Sequence, residues 1–266
     1  MTFAYLLEEL SKNAYLELPI DITRGECESA AETFLNFLSL PLEVKERYYF
    51  KVDEGSHRTN VGYVRRHKDT GNADNKEYFH YHALSLEKFS GLMEADDERA
   101  RHFLIAAENI FQKASAALRG LLSIFEEGVP GITATFFESH DFPSLYLRFL
   151  KYDVKDAGDF LARGHYDTGA ITLALAESAP GLRIGKNDKD IKEVPSRDSG
   201  SALFMPAMRL RDLSPALAGV SPAWHDVVQK SADTYSDTVA RWAIVFFADP
   251  SHINRLSTEE AHTPTY

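Results

Sequence analysis

The apolar positions of the chain fall into two textures. Before Gly131 they recur every three or four residues: Phe3, Leu6, Leu7 and Leu10 follow Thr2, which stands where a helix cap would, and a second helix is read over Glu26–Leu38. The run 96–127 repeats this spacing through Phe103, Ala106, Ala107, Ile110, Phe111, Ala114 and Leu118, and predicts one long helix buttressing a core. Pro41 is suited to the first turn of a short helix over LEVKERYYF, because its missing N–H has no partner to lose there. Residues 52–75 are polar, with clustered charge and glycines, and read as a long loop or lid.

After Gly131 the pattern changes to short β-rich runs, SLYLRFLKY, AITLALA, SALFMPA and RWAIVFFA, separated by Gly, Pro, Asp and Asn. The expected organisation is therefore a mainly β core with helical support, of class α+β. A helical support region with its lid occupies 1–142, a β core 143–250 and a C-terminal tail 251–266.

Composition narrows the functional classes. With 266 residues, 44% of them hydrophobic and 26% charged, the chain is of ordinary globular make-up, and no apolar run reaches the roughly eighteen residues that a membrane span requires. The N-terminus mixes acidic with apolar residues, unlike a signal peptide, and the single cysteine, Cys27, allows no internal disulfide; both point to a cytoplasmic address. A formal charge of −11 repels phosphate backbones and anionic lipid headgroups, so neither nucleic acid nor membrane is expected as a partner. A small-molecule substrate is compatible with that charge, because one buried arginine can receive an anion whatever the net field. Nothing in the sequence bears on oligomeric state.

The candidate chemistry lies in RGHYDTGAITLALAES. His165 and Asp167 are two apart at the start of a strand-like run, and residues two apart on an extended chain share a face, so both can reach one ion. A third ligand from a distant strand completes the two-histidine, one-carboxylate arrangement that suits iron(II) and leaves positions open for dioxygen and cosubstrate. Two other patterns compete. His67 and Asp69 have the same spacing but sit in the charged RRHKDTGN segment with no apolar strand after them, and read as part of a solvated loop. His80 and His82 would share a strand face in EYFHYHAL with no carboxylate at matching spacing; they read as hydrogen-bonded histidines lining a cavity or the surface, and, with Arg148, as candidates to face the substrate.

Taken in order, HYDTGAITL, GLRIG, GSALFMPAM, WHDVV and RWAIVFFADP resemble the iron- and 2-oxoglutarate-dependent oxygenases related to isopenicillin N synthase. The likeness spans about 143–250 and extends upstream through FLSLPLEVKE, GYVRRH and DNKEYF. It implies a double-stranded β-helix (jelly roll) with the N-terminal helices packed outside. It implies His165, Asp167 and His225 as iron(II) ligands, Arg241 as the clamp on the far carboxylate of 2-oxoglutarate, and Tyr152 as a second contact to that cosubstrate. The activity implied is a non-haem dioxygenase that uses O2 to oxidise, by default hydroxylate, a small molecule.

Three departures accompany the likeness. Ala243 stands where the family usually has a serine, the interval from His225 to Arg241 is lengthened by KSADTYSD, and the N-terminus lacks the usual opening strand. Ala243 keeps open an iron(II) oxidase of the isopenicillin N synthase type that does without 2-oxoglutarate, and a metal-free binding protein on the same fold is the reading from another class.

Overall fold

A computed structural model of the chain describes residues 1–52, 60–65, 76–138, 144–195, 200–230 and 234–250. His67, Asp69, most of the expected lid and the tail 251–266 lie outside the described residues. The helices are α1 (Phe3–Asn13), α2 (Arg24–Leu38), α3 (Leu42–Lys45), α4 (Ser85–Ala95), α5 (Glu98–Phe125) and α6 (Ile132–Phe137). The strands are β1 (Leu16–Pro19), β2 (Tyr49–Lys51), β3 (Asn60–Arg65), β4 (Lys76–Tyr81), β5 (Ser144–Asp153), β6 (Phe160–Tyr166), β7 (Ile171–Glu177), β8 (Leu182–Gly185), β9 (Lys192–Glu193), β10 (Ser201–Pro206), β11 (Trp224–Val228) and β12 (Val239–Asp249).

Local chemistry explains the helix starts. Thr2 accepts from Tyr5 N, and Thr23 and Glu26 close a reciprocal capping box on α2, each satisfying N–H groups that the first helical turn leaves unpaired. Asp97 caps α5 close to the start expected at 96 and separates it from α4, a helix the sequence pattern does not single out. No described helix is long and apolar enough to cross a membrane.

The strands form two antiparallel sheets. The larger runs β1-β10-β7-β12-β5-β4-β3-β2 and the smaller β6-β11-β8-β9. Period-two alternation gives the larger sheet two different faces. Leu147 and Phe149 on β5, Phe79 and Tyr81 on β4, Leu173 and Leu175 on β7, and Ile244 and Phe246 on β12 enter one core with Phe34 and Phe37 of α2 and Phe103 and Phe111 of α5. Their neighbours Leu150, Tyr152, Tyr78, Ala174 and Ala243 enter a second core with Leu161, Ala162, Leu182, Ile184 and Val227 of the smaller sheet. Helices thus cover one face, and the smaller sheet covers the other.

Four expectations are corrected. The N-terminal half is not only helical support: it supplies β1 to β4, and β4 pairs with β5 across residue 143, so both regions share one sheet. The expected opening-strand gap is filled by β1, which pairs with β10. The helix read over 42–50 ends at Lys45, and the chain re-enters as β2. The stretch 52–75 is not wholly loop, since 60–65 form β3. Each strand is short, and β1 and β4 also pair with partners distant in sequence, so local periodicity carries little signal of them. Gly62 illustrates the point: at φ +102° it lies so close to the Tyr48 carbonyl that a Cβ would overlap it, a contact made only once β2 and β3 pair.

Candidate metal centre

The site is assembled by one strand pairing. β6 and β11 run antiparallel with His165 directly opposite His225, which sends both imidazoles to the same side, with ring centroids 4.3 Å apart. Asp167 follows just beyond the end of β6. Its carboxylate oxygens lie 3.9 Å from His165 Nε2 and 3.8 Å from His225 Nε2, and one ligand atom from each residue lies within 4.8 Å of the others. Bonds of about 2 Å to one ion can bridge such a gap.

Hydrogen bonds orient the three groups. His165 Nδ1 lies 2.8 Å from the Arg163 carbonyl and His225 Nδ1 lies 3.2 Å from the Ala223 carbonyl. A carbonyl only accepts, so each Nδ1 bears the proton and each Nε2 keeps its lone pair for a ligand. Thr172 Oγ1 donates to Asp167 Oδ2 at 2.7 Å and leaves Oδ1 for an ion. The turn after Asp167 is pinned at both ends: Met208 N donates to the Asp167 carbonyl and Ala170 N donates to Asp249 Oδ1. Gly169 is required there, since a Cβ would overlap the Asp249 carboxylate. On β11, Asp226 points to the opposite face from His225 and pairs with Arg183 of β8 through two 2.7 Å bonds, locking the strand that carries the distal histidine.

Burial pushes His165 well below an ordinary imidazole pKa, and the adjacent His225 adds to the shift, so the ring is neutral at pH 7. For Asp167 burial acts upward, but His225, His165 and the Thr172 hydroxyl outweigh it and hold the carboxyl below its usual range. Two imidazoles that each turn Nε2 inward and an ionised carboxylate form a donor set suited to a divalent ion.

These residues open into a cavity between the sheets, lined also by Arg241, Tyr152, Arg148, Lys76 and Glu177. Arg241 is 3% exposed, and its Nη2 lies 3.8 Å from Glu177 Oε2, longer than a hydrogen bond. In the β4-β5-β12 ladder Lys76 stands opposite Tyr152 and Tyr152 opposite Arg241, so the three form one row on the cavity face. Ala174, Ala176 and Ala243 line the same space, and their small side chains keep it open.

Six residues singled out in the sequence therefore converge: His165, Asp167, His225, Arg241, Tyr152 and Arg148. His80 and His82 are not among the cavity-lining residues. His80 accepts from Arg148 Nε at 2.6 Å and lies beside that arginine. β4 ends at Tyr81, so His82 leaves the shared strand face; it accepts from Leu84 N and borders a different pocket with Phe111, Arg119 and Leu145. Sequence reasoning misses Thr172, Lys76, Glu177, Asp226 and Asp249. For Thr172 a signal exists, because a threonine followed by alternate alanines at 174 and 176 marks the roomy face of β7; the others are set by pairings that no local pattern shows.

No protein-family model and no curated protein matches the chain. Solved structures do. A full-length Neurospora crassa protein in complex with alpha-KG and thymine is 18% identical at a TM-score of 0.69, covering 97% of this chain and 85% of that one. The auxin-oxidation dioxygenase DAO1 of Arabidopsis thaliana, a 2-oxoglutarate binary complex, is also 18% identical at 0.69, covering 97% and 92%. JOX2 in complex with 2OG, Fe and JA is 16% identical at 0.69, covering 97% and 74%. In its described residues, the chain has the fold that these 2-oxoglutarate-bound proteins share.

Proposed function

We propose that the protein is a non-haem iron(II)- and 2-oxoglutarate-dependent dioxygenase that oxidises a small molecule, on a core of double-stranded β-helix (jelly-roll) type over 143–250 whose larger sheet is extended by β1 to β4 of 1–142. The observation that carries this reading is the convergence of two imidazole Nε2 lone pairs and one carboxylate at the end of a cavity that also holds a buried arginine. Three donors on one side of an ion leave its other side for exchangeable ligands, which is the coordination that iron(II) oxygen chemistry needs.

In this reading His165 Nε2, Asp167 Oδ1 and His225 Nε2 hold iron(II). Arg241 receives the far carboxylate of 2-oxoglutarate through a charge-assisted pair in a dry setting, and Tyr152, opposite it in the ladder, borders the same carboxylate. When bound, iron, 2-oxoglutarate and O2 supply the oxidation: the keto acid becomes succinate and CO2, one oxygen atom enters succinate and the other the substrate. The protein orients these partners and keeps water out; Ala162, Leu182 and Val227 form an apolar wall from the smaller sheet for that purpose. The Neurospora crassa protein holds thymine in its complex, which fits a small-molecule substrate here.

Anaerobic addition of iron(II) followed by 2-oxoglutarate tests the proposal. A visible charge-transfer band on the second addition is expected. Iron bound without such a band favours an oxidase that takes its electrons from substrate, a reading kept because Ala243 offers the cosubstrate no hydroxyl; failure to bind iron favours a metal-free binding protein.

A further inference from the structure

One sulfur atom stands on the wall of the candidate metal centre. The chain has four methionines, Met1, Met93, Met205 and Met208, and of these Met205 alone is among the residues that line the cavity with His165, Asp167 and His225. Its place follows from register. Met205 of β10 is paired with Thr172 of β7, and both side chains face the cavity, so their Cβ atoms are neighbours at roughly 5 Å. Thr172 Oγ1 in turn donates to Asp167 Oδ2 at 2.7 Å. A flexible thioether is thereby set one side chain away from a proposed metal ligand. The other three lie elsewhere: Met208 packs with Tyr166 and Trp224 in a separate apolar cluster, Met93 lies against the helix-side core, and Met1 is 52% exposed.

Burial and chemistry together make Met205 selective for one source of oxygen. At 3% exposure it is shielded from oxidants in bulk water, which reach Met1 first, whereas oxygen transferred inside the cavity meets Met205 first. Its aliphatic neighbours on the cavity wall, Leu150, Leu182 and Val227, must lose a C–H bond to be oxidised; a thioether accepts oxygen on a sulfur lone pair with no bond broken. The product has a local consequence. A sulfoxide is polar and its oxygen is a strong acceptor, placed beside the hydroxyl of Thr172 that otherwise serves Asp167.

We infer that Met205 is a self-modification site: without substrate its sulfur takes the oxygen atom that substrate would receive, and the sulfoxide draws Thr172 off Asp167 and loosens the hold on the metal. The inference rests on the proposed function, and its test separates the two. In the step, 2-oxoglutarate, dioxygen and the thioether give succinate, CO2 and the sulfoxide. The keto acid and the sulfur each lose two electrons and dioxygen gains four; one oxygen atom enters succinate, the other bonds to sulfur, and no proton is left over. The iron(II) protein is loaded anaerobically with 2-oxoglutarate, catalase is added to remove peroxide, and isotopically heavy dioxygen is admitted without substrate. Mass spectrometry of peptides follows each methionine, with fragment ions broken at Pro206 separating Met205 from Met208. Met205 should gain heavy oxygen at least about tenfold faster than Met1, Met93 or Met208, and only with 2-oxoglutarate present, because it alone is held beside the oxygen source. The charge-transfer band should fade as the label accumulates, and should persist in Met205→Leu, which keeps the bulk without the sulfur. A band that forms with no heavy oxygen on Met205, equal labelling of all four methionines, or a band that fades equally fast in Met205→Leu overturns the inference and leaves the proposed function standing. Absence of the band from the outset overturns the proposed function and the inference with it.

Discussion

The two faces of the larger sheet are built to opposite specifications from the same strands. Toward the helices, Phe149 lies 5.6 Å from Phe34 and 5.1 Å from Phe103, and Phe111 lies 5.7 Å from Phe246, ring against ring with almost no exposure. Toward the smaller sheet the same strands present alanines, a threonine and charged groups around a cavity. One face maximises contact and contributes stability, while the other forgoes contact to keep room for ligands. Because alternate residues of one strand serve the two purposes, the helix-backed face acts as the rigid mount for the cavity-lining face.

Substitutions on the helix-backed face and around the cavity sharpen this contrast, beginning with the largest effect. Asp167→Ala removes the anionic donor, and turnover should fall by several kcal/mol of transition-state stabilisation, on the order of a thousandfold or more, while the unfolding midpoint in urea stays near that of the wild-type metal-free protein. Wild-type rates of succinate release in that variant would refute the ligand assignment. Phe149→Ala should do the reverse: about 3–5 kcal/mol of stability lost in denaturant unfolding, with the iron affinity of the folded protein retained. If iron affinity collapsed at conditions where the variant is fully folded, the two faces would not be separable.

Arg241→Ala comes next. It should weaken 2-oxoglutarate by roughly 10- to 100-fold, the range for losing hydrogen bonds to a charged group, and leave iron binding in place; equal cosubstrate affinity would mean another cation anchors it. Thr172→Val is the mildest. It keeps the side chain's shape, removes the bond to Asp167 Oδ2, and should lower metal affinity about tenfold in chelator competition, with no change expected if the hydroxyl merely fills space.

Parts of this division were legible in the sequence. His165 and Asp167 announce themselves because a spacing of two on extended chain defines a shared face, although the structure sets them at the end of β6 and not at the head of a strand as expected, and α2 and α5 do so because a helix writes its buried stripe into consecutive residues. His225, Arg241 and Tyr152 were reached through an ordered resemblance rather than through spacing. Lys76 and Glu177 were missed because a charged residue at a strand end looks like any solvated one until its neighbours across the ladder are known.

By itself, then, the sequence determined α1, α2 and α5, the β character of the second half and the pair that begins the candidate metal site, all properties of periods of two or four residues. Tertiary structure alone decided that β1 to β4 join the larger sheet, that His225 sits opposite His165, that His82 leaves the cavity, and that Met205 stands opposite Thr172. Those outcomes depend on register between strands far apart in the chain, where a shift of one residue turns every side chain to the other face.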